Sequence, residues 1–342
     1  ACARARAAAG GLPLQGLSED RAATMLRFIA SRLLQSAMVL LVMSFIIYGL
    51  IGLMPGDPID IMVNSNPGYT SQDLARLRAQ YGLDQPLLTR YWHWLQAAVT
   101  LDFGYSRTYS QPVLVVLVPA LIQTGKLVGL AFMVFTVLAL TLGIAAALAK
   151  GSVLDRLINL LAFAGISIPV FFLALMLIYL FAVRLGWLPA SGMFTIGGSG
   201  GVVDTAKCLV LPVLTLTAAF AGRFMRFTRA SMVEVMRMDY IRTARAKGAG
   251  KLRAVIKHAL RNALIPVVTV LAMSFGALLG GALITETMFA QRGMGKLIYD
   301  AIMGNDFNLA LMGLLFATTA TLVSNLVADI AYAWLDPRIS LS

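Results

Sequence analysis

Apolar residues along this chain come in long uninterrupted runs rather than in alternating or striped patterns. Five runs carry no charge and are long enough to cross a bilayer as helix, at residues 33–54, 127–149, 157–183, 262–285 and 307–328. About 20 apolar residues are needed to span the hydrocarbon at the helical rise. A sixth run, 208–222, is shorter and must continue through Arg223, Arg226 and Arg229 to cross. Those three arginines recur at helical spacing, so they form one stripe whose charged heads can reach the interface. With flanking residues, the spans are expected at about 30–54, 123–149, 157–183, 208–230, 262–286 and 307–334. Backbone groups in lipid must be satisfied within each span, so the fold class is all-α integral membrane protein.

The basic residues orient the spans. The connection between the fourth and fifth spans, residues 223–261, carries eleven Lys or Arg against Glu234 and Asp239. Arg21, Arg27 and Arg32 precede the first span, and Lys150 and Arg156 lie between the second and third. With six spans all of these fall on one side, and the positive-inside rule makes that side cytoplasmic, with both termini. The outer side then holds the segment 55–119, in which acids balance bases, and the connections 184–207 and 287–306.

Composition agrees: 59% of residues are apolar and 13% charged, about half the charge of a soluble domain. The formal charge of +12 is explained by topology, so no nucleic-acid partner is needed. Cys2 and Cys208 are too few for a disulfide framework. Residues 1–24 are rich in Ala, Arg and Gly without an apolar core, unlike a secretory signal. They read as a disordered extension ahead of Met25, leaving 25–342 as the transmembrane domain.

Catalytic chemistry is hard to find. Gly248-Ala249-Gly250-Lys251 and Gly293-Met294-Gly295-Lys296 resemble fragments of a phosphate-binding loop. Both lack its leading glycine and the Ser or Thr that holds magnesium. The two histidines, His93 and His258, fall on opposite sides of the membrane. No catalytic site, cofactor site or metal site is expected in this chain. Inside the spans, Glu286 and Asp329 are ionisable and therefore candidates for gating or structure. Pro169, with Gly165, is placed to kink the third span and line a pathway. Gly276 and Gly280 form a small-residue pair suited to helix packing, internal or with a second subunit. Tyr91-Trp92-His93-Trp94 reads as an interfacial aromatic anchor.

The most informative segment is Asp239-Tyr240-Ile241-Arg242-Thr243-Ala244-Arg245-Ala246-Lys247-Gly248. Asp239 suits an N-cap, the run to Lys247 a short basic helix, and Gly248 its stop. A second amphipathic stretch, 252–260, leads into the fifth span. Positive-inside charge alone would not impose this order of residues.

This loop resembles the EAA loop of the inner-membrane permeases of bacterial ABC importers. Gly248 matches the loop's glycine, and His258-Ala259-Leu260-Arg261 its second half. Arg242 stands where most such loops have Glu, and Arg261 where they have Pro. Both departures are those of the dipeptide, oligopeptide and nickel branch. Pro55-Gly56-Asp57-Pro58, Tyr81-Gly82-Leu83-Asp84-Gln85-Pro86, Leu101-Asp102-Phe103-Gly104-Tyr105-Ser106, Thr285-Glu286-Thr287-Met288-Phe289 and Asp336-Pro337-Arg338 are similar to that branch in order and spacing. One departure is Gln291-Arg292-Gly293, where the branch usually reads Trp-Pro-Gly.

The resemblance implies a type I importer permease in the bacterial inner membrane. Residues 231–261 would form its cytoplasmic coupling loop, with Asp239, Tyr240, Ile241, Arg242, Thr243, Ala244, Arg245, Lys247 and Gly248 docking on an ATPase. The implied partners are a second homologous permease, two ATPase subunits that bind ATP and magnesium, and an extracytoplasmic substrate-binding protein. Members of the branch carry dipeptides, longer peptides, glutathione, nickel and metal–chelator complexes. The competing class, a transporter driven by an ion gradient, needs inverted repeats and midplane acids, and the sequence offers neither.

Overall fold

The computed structural model describes residues 14–53, 84–194 and 201–335. The motifs at 55–58 and 336–338, the start of the motif at 81–86, residues 55–83 of the outer segment and residues 1–13 lie outside the described residues. Within them, ten helices and a two-stranded hairpin follow one another: α1 (Leu14–Gly52), α2 (Leu87–Val99), β1 (Tyr105–Ser106), β2 (Gln111–Pro112), α3 (Val113–Leu148), α4 (Val153–Ser167), α5 (Val170–Leu177), α6 (Val202–Val235), α7 (Asp239–Ala246), α8 (Arg261–Met288), α9 (Met294–Met303) and α10 (Phe307–Leu335). A π-helical turn, Ile178–Arg184, extends α5. A short lead-in, Lys251–Arg253 and the π-helical Ala254–Leu260, precedes α8.

Among the described residues five helices are long and apolar enough to cross a membrane, and the pair α4–α5 makes a sixth crossing if counted as one broken span. All-α architecture holds, while several expected boundaries move. Residues 14–24, expected to be disordered, continue α1. Their Leu, Glu, Arg and Ala are good helix formers and propagate from an existing helix without a new nucleation cost. Helix α3 begins at Val113, inside the segment expected to lie outside the spans, because Pro112 supplies a fixed backbone for its start. The third span is broken outright: α4 and α5 meet at 108°. Ile168 is extended (ψ 124°), as a residue before proline tends to be, and Pro169 starts the second helix.

Helices α3 and α6 run parallel through the middle, Leu127 and Ala131 packing with Leu209 and Val213 near their starts and Gly143 against Thr228 near their ends. Phe135, Phe224, Val128 and Ala139 from this pair form the main core with Ile158 and Ala162 of α4 and Leu271, Leu278 and Ala282 of α8. Lipid is as apolar as these side chains, so close packing and not water exclusion must hold them together. Glycine supplies the closeness. A Cβ on Gly143 would sit 2.7 Å from Thr228 Cβ, and one on Gly165 2.5 Å from the Ala218 carbonyl oxygen. A Cβ on Gly222 would collide with the Ala162 carbonyl. Gly165 thus brings two backbones together and does not kink a helix. Gly276 faces Thr321, Ser324 and Asn325 of α10 at ordinary contact distances, and Gly280 lies one turn further along α8. Replacing Gly222 with leucine should force α4 and α6 apart and lower the melting temperature of the detergent-solubilised chain. The same change at Gly276 should be milder.

The second large cluster lies at the far end of the bundle from residues 236–261. Ile47, Tyr48 and Ile51 of α1 pack there with Tyr91 of α2, Leu117 of α3, Leu297 and Ile298 of α9 and Leu311 of α10.

Candidate functional site

Two places gather polar groups on fixed backbone. One is the basic end of the bundle, around α7. The other is the opposite end, where α8, α9 and α10 meet α3 and the hairpin.

At the basic end, α7 is a two-turn helix laid against the ends of α6 and α8. Met238 holds the N-cap position with extended backbone, so Asp239 is the first helical residue and not the cap expected for it. Its carboxylate pairs across one turn with Arg242 at 3.5 Å, both fully solvated. The helix ends in a Schellman motif. Ala249 N–H donates to the Ala244 carbonyl (3.1 Å) and Gly248 N–H to the Arg245 carbonyl (2.9 Å). Gly248 has φ +86°, the left-handed conformation that such a stop requires.

The faces of α7 divide cleanly. Ile241 is buried with Met232 of α6, Val255 and Ala259 of the lead-in and Ala263 of α8. It anchors α7 to its own chain, which corrects the expectation that it would dock on another subunit. Arg242, Thr243, Arg245 and Lys247 are exposed, Ala244 is half-buried, and Tyr240 reaches Asn262, whose Nδ2 donates to its hydroxyl at 3.3 Å. Beside them stand Leu252 and Ile256, 71% and 58% exposed, with Met238. Cations fringing bare apolar side chains make a surface suited to a protein partner.

The stripe of arginines is not merely solvated. The Arg229 guanidinium donates twice to Asp155, Nε to Oδ1 at 2.6 Å and Nη2 to Oδ2 at 2.7 Å. Arg226 lies over the Phe163 ring at 4.1 Å. Asp329 pairs with Arg32 at 3.2 Å, tying α10 to α1 in a half-exposed position. Asp329 is therefore a tie between helices at the basic end and does not stand beside Glu286 or Pro169.

At the opposite end Glu286 is fully buried. Thr124 donates its hydroxyl to Oε1 (2.5 Å), and the Lys296 N–H donates to Oε2 (3.1 Å). Thr124 in turn accepts from the Met294 N–H at 2.7 Å. These N–H groups belong to the first turn of α9, so the carboxylate sits where free donors and the helix dipole favour an anion. A Cβ on Gly293 would collide with that carboxylate. Gln291, where the resembled branch has tryptophan, is buried. Its Oε1 accepts from Gln123 Nε2 (3.1 Å) and its Nε2 donates to the Gly192 carbonyl (2.7 Å). Gly192 N–H donates back to the Phe289 carbonyl at 2.9 Å.

Asp306 was not singled out by the sequence. It caps α10 through the Leu309 N–H (3.3 Å) and accepts from Ser106 Oγ (2.5 Å) and the Thr108 N–H (2.9 Å). Asn308 Nδ2 donates to the Tyr105 carbonyl and the Arg107 guanidinium to the Gly304 carbonyl. The hairpin is thereby fastened to the α9–α10 corner. The signal in the sequence was the Gly-Tyr-Ser run at 104–106 and a lone Asp before an apolar run. Asp306→Ala should free the hairpin, remove the cap and cost about 1–3 kcal/mol, read as a lower melting temperature and faster proteolysis near residue 107. Tyr91 belongs to the fold as well. Its hydroxyl lies 2.7 Å from Ser44 Oγ and its ring packs on Tyr48 and Trp94, so Trp92 and His93 are the members of that quartet left exposed.

Comparison with known proteins adds to this geometry. A family model described as "Binding-protein-dependent transport system inner membrane component" matches residues 139–341. The N-terminal model of the same kind of transport-system membrane component matches residues 25–121. A Brucella suis biovar 1 protein that carries the name peptide permease is 38% identical over 319 residues, 93% of this chain and 100% of the relative. The glutathione transport system permease protein of Escherichia coli is 37% identical over 315 residues, 92% of this chain and 99% of the relative. Among solved structures, a chain of the methionine ABC transporter in inward-facing conformations superposes with a TM-score of 0.53 at 19% identity. The match covers 65% of this chain and 96% of that chain, and it speaks to fold alone.

Proposed function

The chain belongs to the family of binding-protein-dependent transport system inner membrane components, and from that premise we propose that it is one of two membrane subunits of an ATP-driven importer of peptides. The observation that carries the reading is the division of α7. Ile241 roots the helix in its own chain, while Arg242, Arg245, Lys247, Leu252 and Ile256 are left bare at the basic end.

Nucleotide binding would bring two separate ATPase subunits together, and their movement would be felt first at α7. The exposed cations would pair with acidic side chains on the ATPase. Met238, Leu252 and Ile256 would lose solvent in the same contact. Because Ile241 packs on Met232 and Ala263, a displacement of α7 is passed to the ends of both α6 and α8. The spans would then switch between inward- and outward-facing arrangements, an equilibrium that nucleotide biases by binding one state more tightly. A binding protein would deliver cargo at the opposite end. That orientation puts α7 and both termini in the cytoplasm and the hairpin outside the inner membrane. The names of the two relatives favour a peptide or glutathione as cargo over nickel or a metal chelate.

The test is affinity capture of this chain from gently solubilised native membranes, followed by mass spectrometry. Recovery of ATPase subunits, a second permease and a substrate-binding protein is the expected result, and the ligand held by that binding protein identifies the cargo. A chain that comes alone and drives uptake from an ion gradient would overturn the reading.

A further inference from the structure

Helices α4 and α6 share a seam along their whole contact. Gly165 meets the Ala218 carbonyl, Gly222 meets the Ala162 carbonyl, and Arg226 covers Phe163. The seam closes at the basic end with the two-pronged Arg229–Asp155 pair. Asp155 is fixed independently of Arg229. Its N–H donates to Ser152 Oγ at 3.3 Å, its Oδ2 accepts from the Gly151 N–H at 2.9 Å, and its Oδ1 accepts from Asn159 Nδ2 at 2.8 Å. Arg229 lies one turn before Met232, on which Ile241 of α7 rests. At its other end α4 stops at the 108° break before α5.

We propose that Arg229 and Asp155 are positioning residues that make α4 and α6 one rigid arm, so that displacement of α7 is delivered to the break at Ile168–Pro169 and swings α5. Glycine contacts alone would let the two helices slide, because small residues interlock weakly along the axis. A guanidinium locked on two carboxylate oxygens resists both sliding and rotation. The pair is also largely withdrawn from water, where such contacts are least screened. The break offers the compliance that an intact helix lacks, and the π-helical turn at Ile178–Arg184 marks a second soft point beyond it.

The proposal rests on the importer reading, and the experiment separates the two. The complex with its captured ATPases, second permease and binding protein is reconstituted in vesicles with labelled dialanine or labelled glutathione as probe. Spin labels at Val137 and Met176, both exposed, report movement of α5 against α3 on adding ATP. Arg229→Lys keeps the charge with a single point donor, and Asp155→Asn keeps the shape without the charge.

Both variants are expected to assemble and hydrolyse ATP while the ATP-induced distance change shrinks. Substrate imported per ATP should fall roughly 2- to 30-fold. A wild-type distance change in either assembled variant overturns the link. So does a fall of uptake and hydrolysis together in step with the amount of assembled complex, or a failure of both variants to assemble, since each makes the pair merely structural. A wild-type complex without ATP-driven uptake counts against the importer reading instead. A wild type that imports normally but shows no distance change counts against the link alone.

Discussion

Replacing Gly248 with valine should stop ATP-driven uptake while the membrane helices stay folded. The residue sits at φ +86°, and a Cβ there would meet nothing within 4 Å. The cost is therefore backbone strain and not collision. A left-handed conformation costs a residue with a side chain roughly 1–2 kcal/mol, or about 5- to 30-fold in the population of the properly ended helix. The strain can be relieved by unwinding the last turn of α7, which carries Arg245 and sets the capping Lys247, and the Ala249–Ala244 and Gly248–Arg245 hydrogen bonds are lost with it. Capture of ATPase by the variant and uptake in vesicles should both fall, with an unchanged helical circular-dichroism spectrum. Gly248→Asn should retain most activity, because asparagine visits this region readily. Normal uptake by the valine variant would remove α7 from the coupling route.

The second large effect is expected at the opposite end. Glu286→Ala leaves the Lys296 N–H and the Thr124 hydroxyl without their buried acceptor, at a cost of about 1–3 kcal/mol for each group left unpaired. Helix α9 should come away from α8, and the melting temperature of the purified chain should drop accordingly. Gly293→Ala should act at the same place from the other side, since its new Cβ collides with the carboxylate. The two changes then should not add: removing the carboxylate removes the collision, and the double variant should melt close to Glu286→Ala alone. Strict additivity would mean that Glu286 and Gly293 act on different contacts. Glu286→Gln keeps an acceptor oxygen and should be the mildest of the set.

How much of this could be read from the chain differs by scale. Charge-free apolar runs located four unbroken spans, and the shorter run extended through its arginines a fifth, because length and lack of charge are local properties. The short helix before Gly248 was legible for the same reason, since its stop is written in one glycine and the residues around it. The break at Pro169 was not. Proline in an apolar run is compatible with a kink or a full stop, and here the packing of α4 on α6 decides between them. Pairs such as Asp155 with Arg229, Thr124 with Glu286 and Ser106 with Asp306 join residues far apart in the chain, and no spacing rule connects them. Ile241 shows the subtler miss. Its place among basic residues suggested an outward role, but in a two-turn helix one strongly apolar side chain is what holds the helix to its base.

The broken span has a consequence for the life of the protein before it is assembled. Around the break, Ile166, Ser167 and Pro169 are exposed on the single chain. Interrupted helix cannot face hydrocarbon and persists at membrane depth only beside protein or water. A newly inserted copy therefore carries one flank that the bilayer tolerates poorly until a companion subunit covers it or water fills the space. On the proposed importer reading, copies made in excess of the second permease should be short-lived in the cell, and matched synthesis of the two chains becomes a condition for accumulating either.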